Sequence, residues 1–272
     1  MIVTTHDGTR LNVKDWGTGR PVIFIHGWPL SADSWDDQAM AVAAAGMRAI
    51  AYDRRGFGGS SQPWTGYDYD TLSDDLAAVM EATGARAAAL VGFSMGGGEV
   101  ARYMSRHHGS NVTQAALVSA VVPYMLMTPD NPDGVARAAF DQMGAELKAD
   151  RAHFMSGFFK TFFGDGGSSV PVSREVLEWA RVTAMRASLK ATLACVESFA
   201  TTDFRLDMNA MTVPTLFIHG TADQTVPIEA TGRVAFEALP DAQLIEYLGA
   251  PHGLFVTHKD RLTADLLAFL RR

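Results

Sequence analysis

One cysteine, Cys195, stands in 272 residues. That excludes an internal disulfide framework and any zinc or iron–sulfur site built from several thiolates, and it suits a reducing compartment. Basic charge is also scarce, since 23 Lys and Arg against 30 Asp and Glu leave a formal net charge of −7. No basic run exceeds two residues, so nucleic acid and anionic membrane are poor partners. Long apolar runs are missing too: nothing reaches the roughly 18 residues that a spanning helix needs. The opening MIVTTHDGTR lacks the basic-then-apolar pattern of a secretory signal, and the expected location is cytoplasmic. Gly92 to Gly98 has no Lys-Ser/Thr of a phosphate loop, and Gly56-Phe57-Gly58 lacks the third glycine of a dinucleotide fingerprint. No His-Glu-x-x-His pair occurs either, so neither a nucleotide cofactor nor a metal is expected.

What is present is a core-forming composition, 47% hydrophobic and 19% charged. Short apolar runs alternate with helical patterns, which predicts an α/β fold with a mostly parallel sheet. Residues 2–5 and 11–16 flank the turn signal His6-Asp7-Gly8 and read as an edge hairpin. Buried strands are expected at 21–25, 48–52, 87–93, 114–121, 215–218 and 243–248. Helices are expected near 34–45, 71–83, 94–107, 228–238 and 258–271. Between Pro123 and Asp207 the character changes: six phenylalanines fall from Phe140 to Phe163, and the periodicity is helical near 134–148, 150–160, 173–186 and 188–200. This reads as a helical cap, 123–207, inserted into a core made of 1–122 and 208–272.

The sharpest local signal is Gly92-Phe93-Ser94-Met95-Gly96, a G-x-S-x-G that ends a predicted strand and opens a predicted helix. So tight a turn projects the serine hydroxyl outward as a candidate nucleophile, but a hydroxyl needs a base, and the base needs an orienting acid. Among eight histidines, His252 follows the last strand and emerges at the carboxyl edge of the sheet with Ser94. His26 and His219 each end a strand before a glycine, where a structural hydrogen bond to a loop is expected. Asp223, after the penultimate strand, is the candidate acid, and Asp207 and Glu229 are less well placed. A developing oxyanion requires fixed donors, for which the backbone N–H groups of Met95 and Trp28 are the candidates, Pro29 having none.

Taken with Tyr52-Asp53-Arg54-Arg55-Gly56-Phe57-Gly58-Gly59-Ser60, Gln62-Pro63-Trp64-Thr65-Gly66 and Ala250-Pro251-His252-Gly253, these blocks resemble the α/β-hydrolase family. Within it they resemble the aryl esterases and cofactor-free, non-haem chloroperoxidases or perhydrolases. The resemblance implies an eight-stranded sheet with a small helical cap, the triad Ser94, Asp223 and His252, and Trp28 and Met95 as the oxyanion hole. It implies no cofactor, a small ester or lactone as substrate with hydrogen peroxide as a second one, and relatives that often form homo-oligomers. Arg54 and Arg55 are expected to be structural. Perhydrolase-type relatives tend to carry proline after the tryptophan, and Pro29 would fix where the Trp28 carbonyl points, toward a bound peroxide. Val121, Phe158, Phe162, Phe199 and Val226 are candidates for an apolar pocket beside Pro29. Rival readings are a lactonase or lactamase on the same triad, and a cofactor-free lyase or oxygenase or a ligand receptor on the same fold.

Overall fold

The structure, a computed structural model, describes residues 1–164 and 171–272. Eight strands form one sheet in the order β1-β2-β4-β3-β5-β6-β7-β8. The edge hairpin joins β1 (Ile2–Thr4) to β2 (Arg10–Gly17), antiparallel, and β2 pairs antiparallel with β4 (Arg48–Tyr52). From β3 (Pro21–Ile25) outward through β5 (Ala88–Phe93), β6 (Val112–Val118), β7 (Thr215–Gly220) and β8 (Gln243–Tyr247), every pairing is parallel. Each residue of β3, β5 and β7 is buried. Helices must therefore cover both faces, which is why β3 and β5 read as unbroken apolar runs.

The core helices are α1 (Asp36–Ala44), α2 (Tyr69–Thr83) and α3 (Met95–Arg106), and three more follow β7. In α2 the Asp68 carboxylate accepts from the Thr71 N–H at 2.9 Å as an N-cap, and Gly84 ends the helix in the left-handed region at φ 63°. Leu72, Leu76, Val79 and Met80 form its buried stripe. Between β6 and β7 the chain forms α4 (Arg137–Phe162), α5 (Arg174–Met185), α6 (Leu189–Thr201) and the short α7 (Arg205–Met208). Asp150 breaks α4 with non-helical backbone, and its carboxylate accepts from the His153 N–H at 2.9 Å. The two expected helical periods thus fall on two halves of one kinked element, the second half capped by Asp150. After β7 come α8 (Gly232–Glu237), α9 (Leu254–Thr257) and α10 (Lys259–Leu270). Among the described residues no helix is long and apolar enough to cross a membrane.

Two of the boundaries that differ from the sequence expectation have a local cause. β6 stops at Val118 because Ser119 turns into the left-handed region at φ 44°, and the chain then folds back so that the Val121 N–H donates to the Ser94 carbonyl at 3.3 Å. α8 starts four residues late because Pro227–Thr231 is spent on successive turns, with the Ala230 N–H donating to the Pro227 carbonyl and the Thr231 N–H to that of Ile228.

The sheet meets α3 at contact distance. A Cβ on Gly96 would lie 2.5 Å from the Ile25 carbonyl oxygen, and one on Gly92 would lie 2.6 Å from the carbonyl oxygen of Gly96. Only glycine lets the first turn of α3 sit against the end of β3. Gly96→Ala is expected to destabilise by about 1–3 kcal/mol through backbone overpacking, lowering the midpoint by several degrees in thermal unfolding. A midpoint unchanged within a degree would show that the contact relaxes freely.

Candidate active site

Ser94 joins β5 to α3 with φ 54° and ψ −120°, a conformation that side-chain-bearing residues rarely adopt. The strain is held from both sides. Its N–H donates to the Val118 carbonyl at 2.9 Å, and its own carbonyl accepts from the Gly97 N–H at 3.0 Å. Ser94 is 5% exposed, and that little surface opens into a cavity above the sheet edge.

His252, in the loop after β8, places Nδ1 2.6 Å from Oδ2 of Asp223, in the loop after β7. Both side chains are buried. The other carboxylate oxygen, Oδ1, accepts from the N–H groups of Thr225 at 2.9 Å and Val226 at 2.8 Å, so the acid is fixed by its own turn. With Nδ1–H donating to a carboxylate, the neutral ring presents an electron pair on Nε2. That Nε2 is buried and has no hydrogen-bond partner among the described residues. The rings of Phe93 and Phe162 flank the imidazole at centroid distances of 4.8 and 4.9 Å. Burial works against ionisation of Asp223, but the adjacent His252 and the hydrogen bonds from His219 and His252 outweigh it and hold the carboxyl well below the usual range.

His219 and His26 serve the loops beside the site. His219 Nε2 lies 2.9 Å from the Val226 carbonyl and 3.4 Å from Asp223 Oδ2. His26 Nε2 accepts from the Arg54 N–H at 3.0 Å, which leaves Nδ1 to donate to the Gly27 carbonyl at 2.9 Å. Of the less favoured acids, Asp207 is engaged by Arg102 at 3.0 Å and Glu229 by Arg233 at 3.0 Å.

The loop after β3 lies directly on the elbow, because a Cβ on Gly27 would fall 2.6 Å from the Phe93 ring and 3.0 Å from Ser94 Cβ. A turn closed by the Leu30 N–H on the Gly27 carbonyl at 3.0 Å carries Trp28 and Pro29, joined by a cis peptide bond. Among the described residues neither the Trp28 N–H nor the Met95 N–H at the start of α3 enters a backbone hydrogen bond.

The cavity over Ser94 is lined by Trp28, Val121, Met125, Phe140, Met143, Phe158, Phe199, Thr225 and Val226, and its free volume is about 30 Å³. The indole of Trp28 is locked by its Nε1–H donating to the Thr192 carbonyl at 3.1 Å and by edge contacts with Phe158 and Phe199. Four of the apolar candidates, Val121, Phe158, Phe199 and Val226, therefore meet there. Phe162 does not line the cavity: it is packed behind His252, against Phe93 and Phe255. Pro29 is buried in its turn and is likewise absent from the lining. Met125, Phe140, Met143 and Thr225 were not singled out by the sequence. Met125 is placed by the fold-back after β6 and the others by cap packing and the Asp223 turn, none of which has a local pattern.

Residues 20–259 match the family described by the alpha/beta hydrolase fold. The chain belongs to that family. It is 42% identical to a non-heme chloroperoxidase of Kitasatospora aureofaciens across 100% of this chain and 99% of that one. It is also 42% identical to a bifunctional esterase/perhydrolase of Acinetobacter calcoaceticus, with 99% of each chain covered. Among solved structures, the bromoperoxidase from Bacillus anthracis superposes on this α/β hydrolase with a TM-score of 0.97 at 41% identity, covering 100% of this chain and 99% of that one.

One pH effect follows from His26. Burial and the neighbouring Arg54 charge push its imidazole well below the usual value, against the opposing effect of the Gly27 hydrogen bond. Below about pH 6.5 the unfolded chain binds a proton that the folded chain refuses. The stability due to neutral His26 is thus complete above that pH and is lost on acidification, by at most about 1.4 kcal/mol per pH unit. In guanidinium unfolding, the stability gap between wild type and His26→Gln is expected to narrow from pH 7 to pH 5.5. A gap independent of pH would contradict the assignment.

Proposed function

We propose that the chain is a serine hydrolase of small carboxylic esters that also transfers the acyl group to hydrogen peroxide. The observation that carries this reading is the 2.6 Å contact of His252 with Asp223, which leaves the imidazole Nε2 unpartnered at the edge where Ser94 is held in its strained turn. The identity to relatives named as esterase/perhydrolase and chloroperoxidase supports the choice of reaction.

Neutral His252 takes the Ser94 proton as the hydroxyl attacks the ester carbonyl, and Asp223, ionised, stabilises the imidazolium without itself being protonated. The Trp28 and Met95 N–H groups, which enter no backbone hydrogen bond among the described residues, receive the oxyanion of the tetrahedral intermediate. Collapse expels the alcohol, which leaves with the proton from His252, and acyl-Ser94 remains. Water attacks to give the carboxylic acid, or hydrogen peroxide attacks to give the peracid, with His252 taking the attacking proton and returning it to Ser94. Halide oxidation is then a later reaction of the released peracid. The described residues of 123–207 act as the cap over this chemistry, Phe140, Met143, Phe158 and Phe199 among them lining the cavity, and the small apolar cavity selects short acyl chains.

Ser94→Ala and His252→Ala are each expected to lower kcat on an aryl acetate by roughly 10⁶, the double variant losing little more, because the groups act as one unit. Asp223→Asn is expected to cost about 10⁴ with the fold retained, since the tautomer is no longer held. Steady-state assays beside circular dichroism check both. Additive losses, or an Asp223→Asn variant within tenfold of wild type, would refute the triad.

Acyl-chain preference is a second readout. With p-nitrophenyl esters, kcat/KM is expected to fall at least about tenfold from acetate to octanoate, as each chain outgrows the cavity. Equal or rising values along the series would show that the cavity over Ser94 is not where the acyl group sits.

A further inference from the structure

Two fully buried opposite charges lie beneath the site and take no part in the chemistry above. Arg54 follows β4 and Glu99 lies one turn into α3, with side chains 1% and 0% exposed. Arg54 donates through Nε and Nη2 to Glu99 Oε1, and Glu99 Oε2 accepts from the Tyr52 hydroxyl at 2.7 Å. The same guanidinium reaches across to the oxyanion loop, where Nη2 donates to the His26 carbonyl at 2.6 Å. The Arg54 backbone N–H meets His26 Nε2 as well.

The topology gives these contacts their meaning. His26 is two residues before Trp28, and Glu99 is one helical turn after Met95, on the same face of α3. A single guanidinium therefore joins the two segments that carry the unpartnered N–H groups. Burying such a pair is a poor route to stability, because the desolvation of both ions offsets most of their attraction. What a planar fork supplies is fixed geometry, since its donors point in set directions at set spacing. Arg55, next in sequence, provides the contrast: equally buried, it pairs with Asp75 and Asp7 and touches neither segment.

We propose that Arg54 and Glu99 are positioning residues, a clamp that sets the separation and direction of the Trp28 and Met95 N–H groups. The inference rests on reading those groups as the oxyanion site. The sequence had marked Arg54 as purely structural, and the contacts to His26 and Glu99 give it this further part.

The test uses Arg54→Lys, which keeps the charge for Glu99 but lacks the second arm to His26, and Arg54→Met/Glu99→Gln, which removes both charges of the pair and keeps an acceptor for Tyr52. Arg55→Lys is the comparison. For each, kcat and KM on an aryl acetate are measured beside the inhibition constant of phenylboronic acid, whose tetrahedral adduct on serine places an oxygen where the oxyanion would be. In both Arg54 variants kcat is expected to fall about 10- to 100-fold and the boronate constant to rise by a similar factor, with KM within about threefold. Arg55→Lys is expected to lower the unfolding midpoint with kcat unchanged. Folded Arg54 variants with kcat and boronate binding within twofold of wild type would overturn the clamp. So would failure of both to fold while Arg55→Lys folds, which would make the pair structural alone. A wild type that neither turns over the ester nor binds the boronate would refute the esterase reading itself, and the clamp with it.

Discussion

Ser94 sits at φ 54° between a strand and a helix, and most of the molecule's local choices follow from keeping it there. A residue with a side chain in that region is strained by about 1–3 kcal/mol and persists only where its surroundings over-determine it. Here the surroundings are the Val118 and Gly97 hydrogen bonds, the glycines at 92 and 96 that let β5, α3 and β3 touch, and Gly27, which lets the loop after β3 lie on the elbow. The same turn opens α3, so its unpaired N–H groups and helix dipole face the point where negative charge would develop. Fixing one serine thus fixes the first helix turn and the neighbouring loop.

Around that point the electrostatics are arranged in buried, pre-set pairs. Asp223 stays ionised because His252, His219 and two backbone N–H groups surround it, despite the burial that opposes its charge. His26, by contrast, is kept neutral and serves as an acceptor and donor within the loop. Two imidazoles within the same sheet edge therefore carry opposite duties. One is anchored to a carboxylate and has an open nitrogen, whereas the other has both nitrogens occupied by backbone groups. The difference is set by partners, and it separates a candidate base from a scaffold.

Much of this was legible in the chain. The unbroken apolar run at 21–25, the glycine-flanked Ser94, and the order of Ser94, Asp223 and His252 along alternating strands and helices are local or near-local signals; β5, β7 and β8 lie in one sheet, and the loops after β7 and β8 bring Asp223 and His252 to 2.6 Å. The cavity wall was only half legible. Phe158 and Phe162 are four residues apart on one helix and cannot be told apart by periodicity, yet one faces the cavity and the other backs His252. Met125 and Met143 sit in an irregular return and on a cap helix, where tertiary packing alone decides which way they face. Arg54 and Glu99 are 45 residues apart, and nothing in the sequence announces that they meet.

The account turns on a single acyl-Ser94 intermediate shared by hydrolysis and perhydrolysis. The most direct measurement compares acetate esters with different leaving groups, p-nitrophenyl, phenyl and methyl, at one fixed peroxide concentration. A shared intermediate has lost its leaving group before water and peroxide compete for it, so the ratio of peracetic to acetic acid is predicted to be the same for all three while the overall rates differ. A ratio that changes with the leaving group would contradict the account, because water or peroxide would then be attacking the ester itself.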